Sequence, residues 1–146
     1  MAHRVLICDD EVHILRAAEF KLRRAGWEVE VAGDGQEAWE KIQSQPPDIV
    51  VTDYQMPRLD GIELIQRMRQ HAPTRHVPVV MLTARGFEMS PEELTQRWRV
   101  GAVMSKPFSP RELLRQVEQL VGPVHSTSPG SSLPAAPDQP LERTVP

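Results

Sequence analysis

Five polar residues stand at the ends of short apolar stretches, and their types suit phosphoryl transfer. Asp9 and Asp10 follow the first stretch, Asp53 the third, Thr83 the fourth and Lys106 the fifth. Carboxylates close together repel one another, and a hard dication that prefers oxygen ligands relieves this repulsion. One carboxylate can then act as a nucleophile and form an aspartyl phosphate, while an ammonium group neutralises charge on the transferred group.

The residue types also suggest how a metal would be held. We expect Mg²⁺ as the cofactor, with Asp10 and Asp53 as direct ligands and Asp9 acting through water. The backbone carbonyl of Gln55 can complete the protein ligands. The Thr83 hydroxyl can donate to a phosphate oxygen once that group is attached.

Strands and helices must alternate to bring these side chains together. Apolar runs typical of strands cover residues 4–8, 27–32, 48–52, 77–82 and 102–105. The third and fourth runs are apolar on both faces, which indicates strands buried within a parallel sheet. The segments between them show helical periodicity, with apolar stripes such as Ile14, Leu15, Ala18 and Leu22, and Leu113, Leu114, Val117 and Leu120.

Four helix starts have strong local signals. Ser90 and Ser109 each precede a proline and have a glutamate three residues later, the pattern of a capping box. Asp34 and Asp60 show the same spacing to a glutamate. Gly26 stands where the first helix should end.

Strict alternation of strand and helix predicts an α/β domain, a five-stranded doubly wound parallel sheet of the flavodoxin-like type with strand order 2-1-3-4-5. Ligands bind such sheets beyond the carboxyl ends of the strands, so the five polar residues should converge there. A longer nucleotide-binding fold is the main rival, but the first strand is followed by two aspartates and not by a glycine-rich turn.

Composition narrows the possible partners and compartment. The 146 residues are 40% apolar and 25% charged, with a net charge of -3, which gives no basic footprint for nucleic acid. No apolar run is long enough to span a membrane, no signal peptide precedes the first strand, and Cys8 is the lone cysteine. We therefore expect a cytoplasmic protein that binds neither nucleic acid nor membrane.

The domain should occupy residues 1–122. From Pro123 onward the chain holds six of its fourteen prolines, several serines and few large apolar residues. This composition predicts that residues 123–146 form a disordered Pro/Ser-rich tail.

Four motifs occur together in order and resemble one family. They are VLICDDE at 5–11, DIVVTDYQMP at 48–57 with DG at 60–61, VVMLTA at 79–84, and KPF at 106–108. Over roughly residues 3–122 the chain resembles the receiver domain of two-component response regulators, of the single-domain, chemotaxis-regulator-like kind. The resemblance implies that Asp53 is the phospho-acceptor, Asp9 and Asp10 the metal-binding acids, Thr83 the switch hydroxyl and Lys106 the phosphate-pairing lysine, with a cis Lys106–Pro107 bond.

The implied function is a switch in a phosphorelay and not a separate enzyme. A sensor histidine kinase or a histidine phosphotransfer protein would donate phosphate to Asp53. A downstream protein would read the change on the face formed by the fourth helix, fifth strand and fifth helix. We expect no attached output domain, signalling by protein–protein contact, and a monomer or weak homodimer.

The sequence departs from the usual family pattern at one position of the switch. Family members often carry Tyr or Phe three positions before the lysine, where the ring changes rotamer on activation. Here that position is Val103, whose side chain has few rotamers and no ring. Gln55 and Arg85 occupy the positions that flank the phosphate in the family.

Plainer interpretations stay open for each residue taken alone. Asp9 and Asp10 can cap the first helix, Thr83 can be satisfied locally, and an isolated lysine is usually solvated. Asp48 is a strand-start acid without converging partners, and we expect it to be structural. Two rival functions are an aspartyl-nucleophile phosphatase, which would need Asp-x-Asp on the first strand, and an interaction module that no longer uses phosphate.

Overall fold

A computed structural model describes residues 3–84 and 90–122 of the chain. Five parallel strands form one sheet in the order β2-β1-β3-β4-β5, which confirms the predicted fold and strand order. The predicted tail at 123–146 and Arg85 lie outside the described residues. The strands are β1 Arg4–Cys8, β2 Glu28–Ala32, β3 Ile49–Asp53, β4 Val79–Thr83 and β5 Ala102–Ser105.

Helices connect the strands in strict alternation. They are α1 Val12–Arg24, α2 Gly35–Ser44, α3 Gly61–Gln70, α4 Pro91–Trp98 and α5 Pro110–Val121, and a short 3-10 helix at Ala72–Thr74 was not predicted. Within the described ranges, no helix combines the length and apolar character needed to cross a bilayer.

The helix starts lie where the local signals predict them. Asp34, Asp60, Ser90 and Ser109 are the N-caps of α2 to α5, and each side chain accepts a hydrogen bond from the backbone N–H three residues later. Capping boxes are complete at Asp60 and Ser90. At Ser109 the predicted box is incomplete among the described hydrogen bonds: the serine accepts the Glu112 N–H, and the return bond to the Glu112 side chain is not formed.

Side chains of the central strands point alternately to two hydrophobic layers. In β3, Val50 packs in the layer covered by α2 and α3, while Ile49 and Val51 pack in the layer covered by α1 and α5. Every residue of β3 and β4 is buried. This two-sided burial explains why both strands are continuously apolar up to their polar last residues.

The predicted bounds of β1 and β5 are confirmed, whereas those of β2, β3 and β4 were wrong by one or two residues. β4 begins at Val79 and not at residue 77, since Pro78 has no N–H to donate to a neighbouring strand. At the other end, β3 extends through Asp53, which pairs with Leu82, and the N–H of Tyr54 donates to the Leu82 carbonyl at 2.9 Å. β4 extends through Thr83, which pairs with Ser105. Two of the predicted site residues are therefore held within the sheet itself.

Candidate functional site

Three acids meet at the carboxyl end of the sheet. Asp9 and Asp10 follow β1, and Asp53 is the last residue of β3, the neighbouring strand. One carboxylate oxygen from each lies within 4.8 Å of the others, in an arrangement that can hold a metal ion. Asp9 and Asp53 are buried whereas Asp10 is exposed. An all-oxygen set that is open to solvent on one side fits Mg²⁺, which keeps several of its waters.

Lys106 joins the acids from β5. It follows the last residue of that strand, and its backbone N–H donates to the Thr83 carbonyl at 2.8 Å. Its Nζ lies 2.9 Å from Asp9 Oδ2, 3.1 Å from Asp53 Oδ2 and 3.4 Å from Glu11 Oε1. The Lys106–Pro107 peptide bond is cis, as the resemblance implied. The ammonium therefore already contacts the acids before any phosphate is attached.

The electrostatics of the cluster follow from burial and charge. Burial raises the pKa of the Asp53 carboxyl, and the nearby Asp9 charge raises it further, while Lys106 opposes both effects. Burial would lower the pKa of Lys106, but its close contacts with the Asp9 and Asp53 carboxylates and their charges outweigh burial and raise it. The lysine is thus held in its charged form, and three carboxyl groups share one ammonium.

The capping interpretation of the acid pair fails for α1. Its N-cap is Glu11, whose side chain makes no capping hydrogen bond. Asp9 Oδ1 accepts the Glu11 N–H at 2.9 Å, which fixes the orientation of its carboxylate. Its backbone N–H donates to the Ala32 carbonyl at 3.1 Å and so anchors Asp9 to β2.

Thr83 lies at the same edge but has a different partner. Its side chain is buried, and its hydroxyl donates to the Met104 carbonyl on β5 over a long 3.5 Å. The hydroxyl therefore finds its acceptor on the neighbouring strand, and a bond to phosphate requires the hydroxyl to leave Met104. Gln55 is exposed two residues beyond Asp53, and its carbonyl as a metal ligand stays a prediction. Val103 is half-buried on β5 beside Met81.

Sequence reasoning assigned no role to Glu11, which contacts Lys106 at the rim of the site. The available signal was its position directly after the acid pair. It also missed the ion pair between Arg58 and Asp34, because these residues lie 24 positions apart and neither belongs to the acid cluster. Cys8, beneath the site, is buried, and burial raises the pKa of its thiol, as expected for an inert small hydrophobe.

Comparison with known proteins agrees with the fold. The family model described as "response regulator receiver domain" matches residues 5–118, and the chain belongs to that family. It is therefore a response regulator receiver domain of two-component systems. Receiver domains interact with histidine kinases or phosphotransfer proteins and with downstream partners.

Among curated proteins, the chain is similar to two longer regulators. It is 35% identical to the alkaline phosphatase synthesis transcriptional regulatory protein PhoP of Bacillus subtilis, over 91% of this chain and 54% of PhoP. It is also 35% identical to the transcriptional regulatory protein SrrA of Staphylococcus aureus, over 94% of this chain and 56% of SrrA. The chain thus spans about half the length of the curated relatives it matches.

Two solved structures match this chain over nearly their own full length. A putative response regulator from Chloroflexus aurantiacus superposes with a TM-score of 0.75 at 36% identity, over 83% of this chain and 98% of that one. The chemotaxis response regulator CheY4 of Vibrio cholerae superposes with a TM-score of 0.74 at 31% identity, over 82% and 99%.

Proposed function

We propose that the domain accepts a phosphoryl group on Asp53 with Mg²⁺ bound, from a sensor histidine kinase or a histidine phosphotransfer protein. It then passes the signal on by protein–protein contact. The observation that carries this proposal is the group of three carboxylates with oxygen atoms within 4.8 Å, joined by Lys106 Nζ at 3.1 Å from Asp53. The cluster offers a nucleophile, a place for a dication and an ammonium in one site.

The chain's own residues divide the work of the transfer. An Asp53 carboxylate oxygen forms a bond to phosphorus while the P–N bond to the donor imidazole breaks. The electron pair of that bond stays with the imidazole nitrogen. Lys106, already in contact with Asp53, neutralises charge on the incoming phosphoryl oxygens. Asp10, Asp53 and the Gln55 carbonyl would hold Mg²⁺ directly and Asp9 would hold it through water, and the ion would supply charge stabilisation to the same oxygens.

Phosphorylation would change the partners of two side chains. The new group carries roughly two negative charges in place of one. Lys106 then divides its contacts between the phosphate and Asp9, and the Thr83 hydroxyl leaves the Met104 carbonyl to donate to a phosphate oxygen. Both residues adjoin β5, so the change reaches the face formed by α4, β5 and α5, where a downstream protein would read it.

We propose no catalytic activity on a separate substrate, only self-phosphorylation and self-dephosphorylation. An aspartyl-nucleophile phosphatase would carry Asp-x-Asp on its first strand, whereas Asp9 and Asp10 are adjacent and the third acid lies on β3. We further propose a cytoplasmic monomer or weak homodimer.

The proposal is tested by phosphorylation with acetyl phosphate and Mg²⁺, followed by intact-mass measurement. We expect one phosphate on the wild type and none on Asp53→Asn. The matched control is Asp48→Asn, which makes the same chemical change at the opposite end of the same strand and should leave labelling intact. Omission of Mg²⁺ should prevent labelling of the wild type.

Two outcomes would contradict the proposal. An unmodified wild type in the presence of Mg²⁺ would favour an interaction module that does not use phosphate. Equal labelling of the wild type and Asp53→Asn would place the phosphate on another residue.

A further inference from the structure

The loop between β3 and α3, residues 54–60, is closed tightly behind the acceptor. The Gly61 N–H donates to the Tyr54 carbonyl at 2.8 Å and so joins the two ends of the loop. A Cβ at position 61 would lie 2.5 Å from the Asp53 carbonyl oxygen, closer than a methyl group can approach. The first residue of α3 therefore rests directly on the backbone of the acceptor strand.

Apolar contacts fix the same loop to the rest of the domain. Met56 and Leu59 are buried, and the Met56 sulfur lies 3.0 Å from the Cys8 sulfur. The Leu59 backbone packs against the start of α2, where a Cβ on Gly35 would lie 1.8 Å from the Leu59 carbonyl oxygen. The loop and the start of α2 thus form one packed unit.

An ion pair joins the same two segments at the surface. Arg58 Nη2 lies 2.8 Å from Asp34 Oδ2. The other oxygen, Asp34 Oδ1, accepts the Glu37 N–H at 2.8 Å and caps α2. Asp34 therefore uses its two oxygens for two purposes, one within its helix and one toward the loop. The pKa of Asp34 is lowered, chiefly by the Glu37 N–H and also by Arg58, with burial opposing both.

The backbone of Arg58 adopts a conformation that favours glycine. Its φ of 73° lies in the left-handed region, which disfavours residues with a Cβ and which glycine adopts freely. An arginine here costs conformational energy that a glycine would avoid. The contact with Asp34 is an interaction that glycine could not make.

We infer that Arg58 and Asp34 are positioning residues for the Mg²⁺ site: their ion pair holds the loop carrying Gln55 against α2, so that the metal meets a preformed loop. This inference rests on the proposed function. Neither residue is a metal ligand here, since the acids that can hold the ion are Asp9, Asp10 and Asp53.

For the loss of Arg58 by itself, charge and positioning predict opposite effects on Mg²⁺ binding. Removing the Arg58 cation takes positive charge away from the neighbourhood of a dication site, which should strengthen Mg²⁺ binding. Loss of positioning should weaken it. The double variant Arg58→Gln/Asp34→Asn removes the ion pair without changing net charge, and asparagine at 34 keeps an oxygen for the cap.

The experiment is a Mg²⁺ titration of the full chain, followed by calorimetry, for the wild type and the double variant. We expect the dissociation constant for Mg²⁺ to rise about 2- to 5-fold in the double variant, the range that an exposed ion pair can supply. A second readout needs no metal: the Gly61 amide, whose bond closes the loop, should exchange its hydrogen faster in EDTA.

The matched control is Arg23→Gln/Glu19→Gln on α1. That pair has a similar separation, 3.0 Å, and a similar combination of one exposed and one shielded side chain. This control should leave both the Mg²⁺ affinity and the exchange of the Gly61 amide unchanged.

The outcomes separate the inference from the proposed function. If the wild type binds Mg²⁺ and the double variant binds it equally well or more tightly, the positioning role is wrong and the proposed function stands. Equal weakening by the α1 control would also overturn the role, because any lost ion pair would then suffice. A wild type that does not bind Mg²⁺ would remove both.

Discussion

The two ends of the sheet use acidic residues in opposite ways. At the amino end, the exposed Asp48 carboxylate accepts the Arg4 backbone N–H at 2.7 Å, and the Arg4 guanidinium donates to the Gln45 carbonyl at 3.0 Å. At the carboxyl end, the Asp53 carboxylate is buried near Asp9 and Asp10, with Lys106 as the cation that contacts it.

The difference lies in how completely the charges are compensated. At the amino end, donor and acceptor match locally, so the acid joins β1 to the start of β3 and stabilises the sheet. At the carboxyl end, like charges are packed together in a buried place, which costs stability and prepares the site for a cation. One end of the strand therefore serves the fold, and the other serves the chemistry.

The largest expected effect on stability comes from replacing a glycine at the carboxyl end of the sheet, in comparison with a glycine at the amino end. In Gly61→Ala the new methyl group meets the Asp53 backbone, which cannot move without displacing the acceptor strand. We expect a loss of about 2–3 kcal/mol in the free energy of unfolding. In Gly101→Ala, before β5, the new group meets the end of the flexible Leu120 side chain at 2.8 Å, and we expect less than about 1 kcal/mol.

Urea unfolding of both variants measures this comparison. Equal losses of unfolding free energy in the two variants would show that the backbone is packed no more tightly at the carboxyl end of the sheet than at the amino end. Such a result would also weaken the description of the β3–α3 loop as a closed unit.

Smaller effects are expected at the acids at either end of β3, and their signs are opposite: a change at Asp53 should stabilise the domain, and a change at Asp48 should destabilise it. Without metal, Asp53→Asn should raise the free energy of unfolding by about 1 kcal/mol, because it removes a buried charge near Asp9. Asp48→Ala should lower it by about 1 kcal/mol, because the Arg4 N–H loses its acceptor. Urea unfolding in EDTA at pH 7 measures both, and a destabilised Asp53→Asn would mean that the contact with Lys106 outweighs the repulsion.

The smallest expected effect is the change with pH of the difference in unfolding free energy between Asp53→Asn and the wild type. Because the Asp53 pKa is raised, the folded state takes up a proton at a higher pH than the unfolded state does. The wild type therefore gains stability from this group as the pH falls through the folded-state pKa of Asp53 toward the lower pKa of the unfolded state. The advantage of Asp53→Asn should be fully present above that pKa and should shrink below it. An advantage that stays constant from pH 7 to pH 4 would contradict the raised pKa.

Much of the fold and part of the site could be predicted from the sequence. Apolar runs of the right length, followed by Asp9, Asp53 and Thr83, predicted the strands and the edge at which those residues meet. The helix starts were predictable because a cap such as Asp60 and its acid lie only three residues apart. These signals are local, because they depend on residues only a few positions apart.

Local spacing could not show which contacts the converged residues make. Lys106 reaches Glu11 and Asp53 across sequence separations of 95 and 53 residues, so those contacts exist only through the pairing of strands. The Thr83 hydroxyl likewise finds the Met104 carbonyl because β4 and β5 are adjacent.

The sequence by itself determined the elements, their order and the residue types available for chemistry, because those depend on periodicity and short-range hydrogen bonds. Only the tertiary structure decided that the lysine is already bound to the acids and that the threonine is bound elsewhere. It alone also joined Arg58 to Asp34, two residues that neither spacing nor motif connects. The physical reason is that distance-dependent interactions act between atoms brought together by packing, and packing involves the whole chain.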